Sequence, residues 1–142
     1  GLAAERIGWG YGSPEVIDIL HRVRAPFNVT TVGQAAAIAA IADDDWVARS
    51  RAHNNQWRDW LATEIGQLAN HGLRAIPSKA NFVLVVFDGA LTAGAAYKGL
   101  MDAGYIVRWL PSQGLGHGLR ITIGTEDQNR AVIDALSEFA AQ

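Results

Sequence analysis

Residues 81–87, NFVLVVF, leave the chain little conformational choice. After the asparagine, valines, a leucine and phenylalanines follow one another with no polar residue to mark a solvent face. Such a run reads as a strand buried within a sheet. It sets a demand, because other strands must lie beside it and helices must cover it. The surrounding sequence meets that demand. Leu73–Ile76 reads as a short strand, as do 105–109 and 119–123. A helix is expected over 91–103, closed by Gly104, and another to about Ala140. The second is opened by Thr125-Glu126-Asp127-Gln128, a capping box. Residues 111–118, PSQGLGHG, read as a tight glycine-rich loop. From 73 to 142 the chain is therefore expected to form a small sheet covered by helices.

The preceding segment is of another kind. Residues 6–11 alternate and read as a strand. Ser13-Pro14-Glu15 is a helix start: a cap, a proline at the first helical position, and an acid near the positive helix end. This helix runs to about Val23, because Pro26 disfavours helix in the residue before it. Thr30 or Thr31 caps a second helix over 32–42, whose alanines allow close packing. Asp43-Asp44-Asp45 caps a long third helix, on which Trp57, Leu61, Ile65 and Leu68 form one apolar stripe. Trp46 and Trp60 recur at helical spacing and are expected in the core, while Arg49, Arg51, Arg58 and Glu64 can stay solvated. The helix ends near Asn70-His71, with Gly72 as its left-handed cap. A helix of this length often bridges two domains.

Composition narrows the function. With 142 residues and about half of them apolar, the chain can bury one core. Its net charge of -2 gives neither a basic footprint for nucleic acid nor a polybasic membrane patch. It has no cysteine, which removes disulfide and thiolate chemistry and fits a cytoplasmic protein. No apolar run approaches the roughly 18 residues that span a bilayer. The start at Gly1, with no signal-peptide pattern, suggests a fragment of a longer polypeptide.

Three arginines sit in apolar contexts: Arg6 in ERIGW, Arg108 in YIVRW and Arg120 in LRITI. Each could be an edge-strand arginine with its stem on apolar surface and its head in water. Repetition argues for more. Arg108 and Arg120 flank one glycine-rich loop, so their guanidinium groups could converge on an anion, and planar forks suit carboxylate or phosphate. The glycines around Arg6 let a ligand approach the backbone, although no Walker or dinucleotide motif is present. His21, His53 and His71 fall on or at the ends of helices and read as solvated, whereas His117 lies between the arginine strands and could touch a ligand. No residues have metal-ligand spacing, and no nucleophile elbow occurs. Trp9 and Trp109, near the arginines, are expected to pack in the core or to wall a site.

GLAAERIGWGYG, RAPFNVTTVGQAAAIAAI, IPSKANFVLV, GYIVRWL and GLRITIGTEDQNRAVIDAL occur here in the order of the histidinol-phosphate aminotransferases, which the chain resembles over nearly its whole length. These are fold-type I enzymes that use pyridoxal phosphate. The resemblance implies an α/β fold and a C-terminal fragment. Residues 1–42 would end the large cofactor-binding domain, 43–72 would be a connecting helix, and 73–142 a small domain with a mostly antiparallel sheet and helices on one face. It implies that Arg6 binds the cofactor phosphate, that Arg108 and Arg120 grip the acidic end of the substrate, and that Asn81 has a structural role. Glu5 replaces the family's usual leucine, and could pair with Arg6 or point away into solvent.

The family's Schiff-base lysine would be the third residue before Gly1. Lys79 and Lys98 do not sit in its motif, so this chain would hold no catalytic residue and be inactive alone. The implied substrates are histidinol phosphate or an amino acid, with 2-oxoglutarate, and the implied assembly is a homodimer. Aromatic amino acid aminotransferases and threonine-phosphate decarboxylase relatives share these motifs. A non-catalytic domain that binds a small anion through Arg108 and Arg120 is a reading from another class, and a soluble α/β module with merely exposed arginines is the plainest.

Overall fold

In the computed structural model, which describes residues 1–141, NFVLVVF forms the strand Phe82–Phe87 at the centre of a four-stranded sheet. The strands are β1 (Leu73–Ile76), β2 (Phe82–Phe87), β3 (Arg108–Leu110) and β4 (Leu115–Thr122), in the order β1-β2-β4-β3. Every pairing is antiparallel. Val83, Val85 and Phe87 alternate toward one face, joined there by Leu73 of β1 and by Leu119 and Ile121 of β4.

Helices cover that face. They are α3 (Asp44–Gln67), α4 (Ala93–Asp102) and α5 (Glu126–Ala140). Leu61 and Ile65 of α3, Ala96 and Leu100 of α4, and Val132 and Leu136 of α5 complete the core. Thr92 caps α4, its Oγ1 accepting from Ala95 N at 3.2 Å. Thr125 and Gln128 form the expected capping box at the start of α5. After α3 the chain makes one turn of 3-10 helix, Ala69–His71, and reverses at Gly72, whose φ is +82°. A Cβ there would lie 2.3 Å from Gly89 N, and Gly72 O accepts from Asp88 N at 2.8 Å. Only glycine permits both this backbone and this approach.

The chain divides into two compact units, Gly1–Arg49 and Ser50–Gln142, with α3 beginning in the first and continuing through the second. The first unit holds α1 (Pro14–Val23) and α2 (Thr31–Ile41). Thr30 is the cap of α2, its Oγ1 accepting from Gly33 N at 3.0 Å. Asp43 caps α3 by accepting from Trp46 N at 2.9 Å. Glu15, in the first turn of α1, has its carboxyl held below the ordinary value by its own backbone N–H and by the Ser13 hydroxyl. Among the described residues of this unit only Gly33 is buried.

Several expectations about the elements need correction. Residues 6–11 are not a strand: Ala3–Glu5 is a turn of 3-10 helix, Arg6 is left-handed with φ 51°, and residues 7–11 pair with no strand. Alternation is present, but without a partner ladder it forms no strand. The strand expected over 105–109 is Arg108–Leu110; residues 105–107 pair with no strand, although β4 runs on past Arg120 to Thr122. The loop expected over 111–118 is shorter. It is a 3-10 turn, Pro111–Gln113, closed at Gly114, and Leu115–Gly118 already belongs to β4. Finally, Trp9 and Trp46 are not core, being 83% and 53% exposed.

Candidate anion-binding site

Arg108 of β3 and Arg120 of β4 are direct partners in the antiparallel register, and Leu84 of β2 is opposite Arg120 on its other side. Residues directly opposite on such a ladder project from the same face. Arg108 and Arg120 therefore share the face turned away from Leu119 and Ile121. Two like charges in this relation repel.

No carboxylate among the described residues pairs with either arginine to relieve that repulsion. Arg22, Arg58, Arg74 and Arg130 each have a carboxylate partner, whereas Arg108 and Arg120 take part in no ion pair among the described residues. Arg120 is half-buried, and its guanidinium carbon stands 4.9 Å from the centroid of the Phe82 ring. Its Nε is buried and has no hydrogen-bond partner. Arg108 is exposed. A cationic pair of this kind, lacking a carboxylate, suits a carboxylate or phosphate brought from outside.

The hairpin that carries the pair is fastened from behind. Trp109 Nε1 donates to Gly116 O at 2.8 Å, and the indole packs against Tyr97 of α4 with ring centroids 5.8 Å apart. A Cβ on Gly94 would come within 3.2 Å of the same indole. Trp109 thus ties the β3–β4 connection to α4, a wall behind the arginines. His117 is exposed and lies on β4 rather than in a loop. His53 is exposed, its Nε2 bonded to Gly124 O at 2.9 Å, and His21 and His71 are exposed as well. Asn81 accepts from Ile123 N through its backbone oxygen at 2.9 Å, joining the start of β2 to the end of β4.

Arg6 belongs to the first unit. It is exposed, and its Nη1 donates to Ala3 O at 3.0 Å. It forms no ion pair with Glu5 or with any other carboxylate among the described residues. Lys98 pairs with Asp102, and Lys79 is exposed. Among the described residues no three His, Asp or Glu side chains gather where they could hold a metal ion. No helix among them is long and apolar enough to cross a membrane.

Arg58 was expected in solvent and is buried, with 9% of its side chain exposed. Its Nη1 donates to Asn55 Oδ1 at 3.0 Å, and its Nε and Nη2 donate to Asp59 Oδ1 at 3.0 and 2.9 Å. It borders a cavity of about 470 Å³ with Asp59, Ser78, Lys79 and Val83. The signal for it was spacing: 58, 61, 65 and 68 recur as helically as 57, 61, 65 and 68.

The chain matches known proteins over nearly its whole length. The family described as aminotransferase class I and II matches residues 1–136. A histidinol-phosphate aminotransferase of Sphingopyxis alaskensis is 63% identical over 136 residues, covering 96% of this chain and 37% of that protein. One of Zymomonas mobilis is 54% identical over 142 residues, covering 100% and 38%. The crystal structure of histidinol-phosphate aminotransferase from Sinorhizobium meliloti in complex with pyridoxal-5'-phosphate superimposes with a TM-score of 0.82 at 29% identity, covering 99% of this chain and 38% of that one. The chain thus spans well under half the length of the relatives it matches.

Proposed function

Because this chain belongs to the class I and II aminotransferases, we propose that it is part of a pyridoxal-phosphate-dependent enzyme transferring an amino group between histidinol phosphate and 2-oxoglutarate. The observation that carries this reading is the cross-strand pair Arg108–Arg120, cationic, without a carboxylate, and on one face of the sheet. In this reading the two arginines hold the phosphate of the amino substrate or a carboxylate of the keto acid. Both are planar or tetrahedral oxyanions that accept paired N–H donors. The high identity to histidinol-phosphate aminotransferases supports the phosphate-bearing substrate.

Arg6 is assigned to the cofactor phosphate. Its exposed guanidinium, engaged among the described residues by Ala3 O through Nη1, keeps donors available for a dianion. Pyridoxal phosphate, when bound, supplies an electron sink for the substrate carbon. The lysine that would hold it and move the proton is assigned to the third residue before Gly1. Accordingly the 142-residue chain alone is assigned no turnover, and transaminase activity of the purified chain would overturn this. Residues 1–42 are assigned to the large domain, 43–72 to the connecting helix and 73–142 to the small domain. The assembly is assigned as a homodimer, which is consistent with the exposed apolar side chains of α1 and α2, such as Ile19, Val23, Val32 and Ile38.

The test is borohydride reduction of the polypeptide that carries this chain, with pyridoxal phosphate present, followed by peptide mass mapping. An adduct on the lysine three residues before Gly1 is expected. No adduct, or one on Lys79 or Lys98, would sink the reading.

A further inference from the structure

We infer that Phe82 is the positioning residue of the anion site, a platform that fixes the Arg120 guanidinium beside Arg108. The inference rests on the anion-clamp reading above and adds a residue to it.

The register explains why Phe82 can do this. Phe82 pairs with Thr122, two residues along β4 from Arg120, so the two side chains are diagonal neighbours on one face. That diagonal is within reach of an aromatic ring and a long side chain. The guanidinium carbon lies 4.9 Å from the ring centroid, inside the range of cation–π attraction. Arginine stacks on such a face with its plane retained.

The burial pattern gives the platform a direction. Arg120 Nε is shut off from solvent and bonded to nothing, which ordinarily counts against a buried donor. The arrangement persists because the ring supplies attraction that a hydrogen bond would otherwise supply. No terminal nitrogen of Arg120 is among the buried unpartnered atoms, and none forms an ion pair among the described residues. The fork is therefore laid down at its root and open at its tip. Without the ring, repulsion from Arg108 directly opposite would swing the free guanidinium away, and an anion would have to reassemble the pair on arrival. The platform's effect is to keep the pair assembled beforehand, so it acts on affinity and not on the chemical step.

The experiment compares Phe82→Leu, Phe82→Trp and Arg120→Ala in the pyridoxal-phosphate-loaded enzyme carrying this chain. Inorganic phosphate binding is titrated by calorimetry, and KM and kcat are measured for the phosphorylated amino substrate. Phe82→Leu is expected to weaken phosphate and raise KM together by about threefold to thirtyfold, with kcat nearly unchanged. Phe82→Trp, which keeps an aromatic face, is expected to restore both. In the NMR spectrum the ring-current shift of the Arg120 side-chain protons is expected to vanish in Phe82→Leu and to persist in Phe82→Trp. If Phe82→Leu does not fold, Phe82→Met serves in its place.

Unchanged phosphate affinity in a folded Phe82→Leu or Phe82→Met, with affinity lost in Arg120→Ala, would overturn the platform and leave the clamp standing. A loss of kcat equal to the rise in KM, or Phe82→Trp behaving like Phe82→Leu, would also overturn it. Unchanged phosphate affinity in Arg120→Ala would remove the clamp itself, and the platform with it.

Discussion

Thr30 in the first unit and Thr125 in the second perform the same local task, each accepting at a helix start from the N–H three residues on. The helices they open differ. Behind Thr125, Val132, Ile133 and Leu136 are buried against strands and another helix. Behind Thr30, Gly33 is buried, while Val32, Ile38 and Ile41 are exposed. A cap fixes where a helix begins and needs only its own neighbours. Burial needs residues from far along the chain, and in the second unit β2 and β4 supply them. Local chemistry and tertiary burial are thus separable, and this molecule separates them by unit.

The largest expected effect tests that separation directly. Leu61→Ala removes a fully buried side chain of the second unit and should cost about 2–5 kcal/mol in denaturant unfolding. Ile38→Ala, at a position 71% exposed, should change stability by no more than about 0.5 kcal/mol. If both cost alike, the apolar side chains of α2 are covered in solution and the contrast fails.

A middling effect sharpens it. Thr125→Ala should destabilise by about 1 kcal/mol, because the cap belongs to a helix packed on a core. In Thr30→Ala the loss should appear as faster amide exchange within α2 and leave the exchange of β2 and β4 unaltered. Accelerated exchange in the strands would show that the two units share one cooperative transition.

The smallest effect is one of pH. Glu15 has its folded-state value lowered by its own backbone N–H and the Ser13 hydroxyl. A lowered value means that the charged form adds to α1 at pH above the ordinary carboxylate range. That contribution fades as pH falls through the lowered value. Circular dichroism should show α1 fraying on acidification, and Glu15→Gln should flatten that limb of the curve.

Sequence made some elements plain and hid others for physical reasons. The run at 82–87, the stripe 57-61-65, Pro14 and the capping box at 125–128 are dense, redundant signals, and each appears where expected. The strand expected over 105–109 is observed as Arg108–Leu110: residues 105–107 pair with no strand, although β4 continues past Arg120 to Thr122. The apolar side chains of 105–107 signal burial and do not by themselves signal a ladder. Arg58 was misplaced because charge argued for solvent, while its spacing with Leu61 and Ile65 argued for the core. At the candidate site, the loop flanked by Arg108 and Arg120 was visible in the sequence. Their direct opposition and the ring beneath one of them were not, since register and diagonal contact are properties of a folded sheet.

The opposition of Arg108 and Arg120 has a thermodynamic consequence outside any reaction. A sheet edge held against its own charge is a material whose strength depends on what is dissolved around it. Chloride at moderate concentration only screens such a pair. An oxyanion that binds the folded form alone, present at a hundred times its dissociation constant, adds about 2.7 kcal/mol. The melting temperature of the second unit would then climb with phosphate well before it responds to an equal ionic strength of chloride. Occupancy would be legible as heat tolerance, and the β3–β4 edge would act as a gauge of the anion supply as well as its grip.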